Sequence, residues 1–323
     1  MNKNIIAHML GAVLVGAVSM NAVAQDNYPT RTIKIIVPLA PGGGTAIALP
    51  RIVADKLSER WGRPVIVEYR PGAAGNIGAE AVVRADPDGY TLLASPPPAL
   101  VINQHLYKLS FDPAALVPVT IIAAVPFVLV AHPKVPVANV QELIAFAKTN
   151  PARLNYASAG AGSVPHVAME WFKVLSGAPI LHVPYKGLAP ALSDLLTGHV
   201  DMMFDNLGNA LHRVESGMLK ALAVASEKRL PTLPLVPAIA ESFPSFVSDT
   251  WFAVVAPPKT PRAIAAKLSA AIGETLRMPD VASRIRDFSA VPLGTSPEES
   301  QKFLREDAER WRKVILATGI KLE

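Results

Sequence analysis

Residues 32–68 read TIKIIVPLAPGGGTAIALPRIVADKLSERWGRPVIVE, and the order of residue types in this stretch decides the fold class. Thr32 to Leu39 is a short β-branched run ending at a proline and then at the triplet Gly42-Gly43-Gly44, the composition of a strand closed by a tight loop. From Pro50 to Trp61 the apolar residues Ile52, Val53, Leu57 and Trp61 recur at helical spacing, and Pro64 to Glu68 is a second strand. A strand, loop, helix, strand unit joins parallel strands through a crossover and covers a sheet face with the helix.

The same alternation continues outward. Helices are expected over 75–84, 140–149, 164–175, 189–197, 261–276 and 297–318, and strands over 90–94, 155–158, 202–204 and 221–225. Two strand-like runs, Ile121 to Pro133 and Thr250 to Ala256, break the rhythm, and each is followed by a proline-bearing turn. If both cross between two lobes, the chain forms an α/β clamshell. Each lobe is then a mostly parallel sheet flanked by helices, and the ligand cleft lies where the two crossover strands run. Lobe 1 would comprise 25–127 with 249–323, and lobe 2 the inserted segment 128–248.

Composition narrows the chemistry. The 323 residues are 50% hydrophobic and 18% charged, enough apolar material for two domains and too much for a disordered chain. The 30 prolines show no repeat, which excludes collagen. With no cysteine there are no disulfides, thiolate metal sites or cysteine nucleophiles. A formal charge of +5 without a Lys/Arg block argues against nucleic acid. Residues 1–24 combine Lys3, an apolar stretch from Ile5 to Val18 and the small residues Ala22 and Ala24, the pattern of a secretory signal peptide cleaved near Ala24. The mature chain is therefore expected to be exported to the periplasm as a soluble monomer. An uncleaved anchor is the alternative.

Several loops carry candidate ligand contacts. The loop from Ala40 through Gly42, Gly43, Gly44 and Thr45 follows a strand and opens a helix, where peptide N–H groups and partial positive charge suit a carboxylate. The bare triplet also reads as an ordinary strand-to-helix turn, and it lacks both the P-loop ending and the GxGxxG spacing. The stretch 158–163, SAGAGS, repeats the device: Ser158 and Ser163 offer hydroxyls, Gly160 and Gly162 offer N–H groups, and Ser163 is equally a helix cap. Ser95 and the prolines 96–98 form a stiff, extended wall at a strand end, or a rigid structural loop. Tyr185 could lay its ring on an apolar ligand, Lys186 could add positive potential, and Asp205 either faces the cleft or caps the next helix. Ser163, His166 and Asp205 invite comparison with a hydrolytic triad, but no GxSxG elbow accompanies them. His166 and Glu170, four apart, lack a third metal ligand, and the remaining mature histidines form no cluster in sequence. No catalytic residue, metal or cofactor is assigned.

Read together, IKIIVPLAPGGGTA, GRPVIVEYRPGAAGNIGAEAV, DPDGYTLL, LNYASAGAGSVPHVAMEWF, HVPYKGLAPALSDLLTGHVDMMFDN, KALAVASEKRLPTLPLVPAIAE and the tail from WFAVVAPPKTP to WRKVI resemble the Bug-type extracytoplasmic solute receptors. These are the substrate-binding proteins of tripartite tricarboxylate transporters, and the resemblance covers nearly all of the mature chain. It implies a type II periplasmic-binding-protein fold, capture of a small organic carboxylate without catalysis, and delivery to the membrane subunits of such a transporter. It also implies that Asp205 faces the cleft. One departure stands out: relatives often carry an acidic residue in the first glycine turn where this chain has Ile47. An isoleucine would make that wall of the pocket apolar and favour an apolar or aromatic acid over an amino acid. The alternatives are a receptor presenting its ligand to a two-component sensor kinase, and a secreted hydrolase using Ser163 and His166.

Overall fold

The computed structural model describes residues 27–42 and 44–322. The expected signal peptide, residues 1–24, and the candidate contact Gly43 lie outside the described residues. No helix among those described is long and apolar enough to cross a membrane.

The first half-sheet grows from the opening motif. Strand β1 (Ile33–Val37) pairs in parallel with β2 (Val65–Tyr69) on one side and with β3 (Thr91–Ser95) on the other. Helix α1 (Thr45–Trp61) and α2 (Asn76–Val83) make the connections. Helix α1 starts at Thr45 rather than at Pro50, because Ile47 and Leu49 are buried along with Ile52 and Val53 and draw the earlier turn onto the sheet. Pro50 then lies inside the helix on its buried face.

The second half-sheet repeats the pattern: β5 (Asn155–Ser158) pairs in parallel with β6 (Leu181–Pro184) and β7 (Met202–Asn206). Helices α3 (Val140–Thr149), α4 (Val164–Ser176), α5 (Leu188–Leu196) and α6 (Leu207–Glu215) flank it, and β8 (Lys220–Val224) closes one side.

The crossovers are β4 (Val117–Ala131) and β9 (Asp249–Ala256). Strand β4 pairs antiparallel with β9 from Val117↔Ala256 to Pro126↔Asp249, then with β7 from Phe127↔Asn206 to Ala131↔Met202 and also with β8. It therefore belongs to both lobes. Its prolines sit where a missing N–H is tolerated, Pro118 at a register shift and Pro126 at the change of partners. The lobes' outer strands are parallel as expected, and the crossovers make the whole sheet mixed.

Helices α7 (Arg262–Arg277), α8 (Pro279–Arg286) and α9 (Pro297–Thr318) return to the first lobe, with the short β10 (Val291–Pro292) on β4. Helix α8 and β10 were not foreseen from sequence. Trp251 of β9 and Trp311 of α9 both donate their indole N–H to buried Asp307 Oδ2, at 3.0 and 3.1 Å, tying the last helix to the crossover.

The Pro96–Pro98 segment differs from the extended wall expected of it. Pro97 is in the right-handed helical region and Pro98 opens a π-helical turn to Ile102. Proline fixes φ but not ψ, and burial of Ala99, Leu100, Val101 and Ile102 selects the helical option.

Candidate functional site

The candidate loops converge because they follow the C-terminal ends of parallel strands. The segment after β1 leads into α1, Ser95 ends β3, the 158–163 loop follows β5, and Asp205 and Asn206 end β7 at the start of α6. In open α/β sheets this edge is where ligands are presented.

In the first lobe, Ala40 and Gly42 are exposed, and Gly44 stands at the N-cap of α1 without a side-chain cap, at φ 91°. A Cβ at Gly44 would lie 2.8 Å from Asn209 Oδ1 of α6, so only glycine allows this approach between lobes. Thr45 is fully buried, and both its N–H and its hydroxyl donate to Asn209 Oδ1, at 3.3 and 3.4 Å. Ile47 belongs to the hydrophobic cluster with Leu49, Ile52 and Leu92, so its side chain packs into the first-lobe core instead of forming a free pocket wall. Ser95 is buried and donates to Pro96 O at 2.9 Å.

The second-lobe loop is supported from beneath by two histidines that are 16 residues apart in the sequence. His166 and His182 stack at 4.2 Å, and His182 stacks in turn on Tyr156 at 4.7 Å. Gly162 N–H donates to His166 Nδ1 at 3.1 Å, and Ser158 Oγ lies 2.7 Å from His182 Nε2 while accepting the Gly160 N–H at 3.2 Å. Burial holds His166 below its ordinary pKa and pushes His182 down to about 4, so both rings are neutral near pH 7 and His166 can accept. Gly160 and Gly162 thus spend their N–H groups inside the loop and do not offer them outward. Ser163 occupies the N-cap position of α4, yet its hydroxyl donates backward to Gly160 O at 2.6 Å and does not cap the helix.

These bonds separate the three residues of the hydrolytic alternative. Ser163 engages Gly160, His166 engages Gly162, and Asp205 Oδ1 accepts from Asn206 N–H at 2.7 Å and Asn209 Nδ2 at 3.0 Å. A nucleophile, base and orienting acid in series are not assembled. Glu170 is likewise taken, by the Tyr156 hydroxyl and Lys173. Among the described residues no group of three or more His, Asp or Glu is placed to hold a metal. Tyr185 donates its hydroxyl to Asp194 at 2.6 Å and packs against the cluster that includes Ala191 and Leu195, so the ring is anchored to its own lobe.

Asp205 is the chemically distinctive group. It is 1% exposed, its Oδ2 has no hydrogen-bond partner among the described residues, and burial pushes its carboxyl up to about 6 against the opposing pull of Asn209 and the Asn206 N–H. The neighbouring Asn206 Oδ1 is also buried and has no partner among the described residues. Two buried acceptors side by side at a strand end suit a ligand or water that donates hydrogen bonds. Sequence reasoning missed Asn206 and Asn209. The spacing of Asp205 and Asn209, four apart across a helix start, was the available signal.

Comparisons with known proteins agree with this arrangement. The profile of the tripartite tricarboxylate transporter family receptor matches residues 49–320. Protein BugT of Bordetella pertussis is 37% identical over 330 residues, covering 100% of both chains. Among solved structures, an R. palustris protein with adipate is 36% identical at a TM-score of 0.85, covering 91% of this chain and 99% of that one. MatC from Rhodopseudomonas palustris with bound malate is 32% identical at a TM-score of 0.82, covering 89% and 100%. A two-lobed sheet threaded by a shared crossover strand, paired strand-end loops and a match across nearly the whole chain lead to one conclusion: the chain belongs to the tripartite tricarboxylate transporter family of solute receptors.

Proposed function

We propose that this protein is a periplasmic receptor that captures a small organic carboxylate between its lobes and delivers it to a tripartite tricarboxylate-type transporter. Lobe 1 comprises residues 25–127 with 249–323 and lobe 2 residues 128–248. The observation that carries the proposal is the meeting of the α1 N-terminus with the start of α6, beside the 158–163 loop, where the strand ends of the two lobes face each other, in a fold shared with relatives solved holding adipate and malate. Partial positive charge at helix N-termini favours an anion there.

The ligand class is an apolar or aromatic acid in preference to an amino acid. An α-ammonium needs an ionised carboxylate or free carbonyls, and the segment Gly44 to Leu49 supplies no acidic side chain. The unpartnered Asp205 Oδ2 and Asn206 Oδ1 at the β7 end are then left to accept from a water or a ligand hydroxyl. Titration calorimetry with adipate, malate, benzoate, glutamate and aspartate tests the proposal. Binding of one or more of the first three, with the amino acids weaker, is the expected outcome; tight binding of an amino acid alone overturns it.

A further inference from the structure

We propose that Asn209, on the second lobe, caps helix α1 of the first lobe across the cleft and thereby holds the clamshell closed, with Asp205 as the residue that positions its amide. The proposal rests on the two-lobed receptor reading above and names the contact that governs closure.

Helix α1 begins at Gly44, which has no side chain to cap it, so its first N–H groups need an outside acceptor. Asn209 supplies one from 164 residues away, its Oδ1 accepting from the Thr45 N–H and hydroxyl. The amide has only one workable orientation. Asp205 Oδ1 is an acceptor for the Asn206 N–H, so the Asn209 NH2 must face it and the carbonyl must face Thr45.

The adjoining residue makes the same landing a close one. A Cβ at Gly208 would lie 1.9 Å from Phe288 O, between α8 and β10 of the first lobe. The first turn of α6 therefore meets the opposite lobe at two points, and at each a glycine permits the contact, Gly44 on one side and Gly208 on the other. A ligand carboxylate entering at the α1 N-terminus adds to a closure that Asn209 already favours, so this residue governs how long the lobes stay shut.

The chain has no cysteine, which makes site-specific labelling direct. Cysteines introduced at the exposed positions Arg63 and Glu227, one on each lobe, carry a donor and an acceptor dye for single-molecule energy transfer on the mature chain without ligand. Asn209→Ala is expected to shift the closed-to-open ratio about three- to tenfold toward open, the size of one lost cap, with the melting temperature lowered by only about 1–4 °C. With adipate as probe, dissociation should quicken by a similar factor while association changes little. Gly208→Ala, which blocks the second landing point, should also open the lobes. An Asn209→Ala distance distribution equal to wild type, or a wild-type distribution already dominated by the open separation, overturns the proposal. The distance readout needs no ligand, so failure of the wild-type protein to bind adipate counts against the carboxylate reading and leaves the cap tested on its own terms.

Discussion

Replacing Gly44 by alanine separates two costs that the closed structure superimposes. Gly44 sits at φ 91° and ψ 175°, a region essentially reserved for glycine, where a side chain costs about 1–3 kcal/mol. The added Cβ would also stand 2.8 Å from Asn209 Oδ1, a contact that exists only while the lobes are together. Overpacking of this kind costs about 1–3 kcal/mol, which falls on the closed state and weakens ligand binding about 5- to 150-fold. Gly62, at the other end of the same helix, supplies the control. It lies at φ 57° and ψ 25° with nothing among the described residues within 4 Å of its would-be Cβ, so Gly62→Ala carries a backbone cost of about 1–2 kcal/mol and no interlobe clash. Urea denaturation should show both variants destabilised. Calorimetric titration, with adipate or whichever carboxylate the panel identifies, should show Gly62→Ala within about twofold of wild type and Gly44→Ala far weaker. Equal affinities for the two alanine variants would refute the reasoning, because the backbone penalty would then be the whole effect and the Asn209 contact would have no part in closure.

Two further outcomes follow from buried polar groups. Asp307→Ala strands two buried indole N–H groups and the Arg310 guanidinium that donates to Asp307 Oδ1 at 2.7 Å, and should cost about 2–5 kcal/mol by urea denaturation; a loss below about 1 kcal/mol would show that α9 is not held by this carboxylate. His182 is pushed from 6.5 down to about 4 by burial with His166 stacked on it, and Tyr156, Glu170 and Lys173 nearby, so the fold takes up its proton less readily than the unfolded chain. Stability is therefore intact above pH 6.5 and declines as pH falls from 6.5 toward 4, and His182→Gln should flatten that decline in denaturation series across this range.

The opening motif was legible because strand, loop and helix are encoded by spacing within one short stretch. Alternation of β-branched runs with helical periodicity placed β1, β2, β3, β5 and β7 within a residue or two of their observed positions, and with them the strand-end loops. The crossovers were visible for the same reason, as apolar runs that broke the alternation. Errors arose where a local rule met a tertiary demand. Local spacing starts the helix at Pro50, but burial of Ile47 and Leu49 extends α1 back to Thr45; proline composition favours an extended 96–98, but burial of residues 99–102 draws the segment into a helical turn.

The candidate site was legible as loops and illegible as contacts, and the reason is separation along the chain. Gly160 and Gly162 announce a tight turn, yet nothing local says that their N–H groups are consumed by Ser158 and by His166, or that His182 from the next strand buttresses both. Thr45 and Asn209 are 164 residues apart, and no periodicity spans that distance; only the register of β4, paired first with β9 and then with β7, sets α1 against α6. The bond between them therefore depends on the crossover as much as on either residue. A slip of one residue in the β4–β7 pairing would turn Asp205 to the opposite face of the sheet, remove the acceptor that orients the Asn209 amide, and leave α1 uncapped with both amino acids unchanged. The closure contact belongs to the register of the sheet first and to the identity of its side chains second.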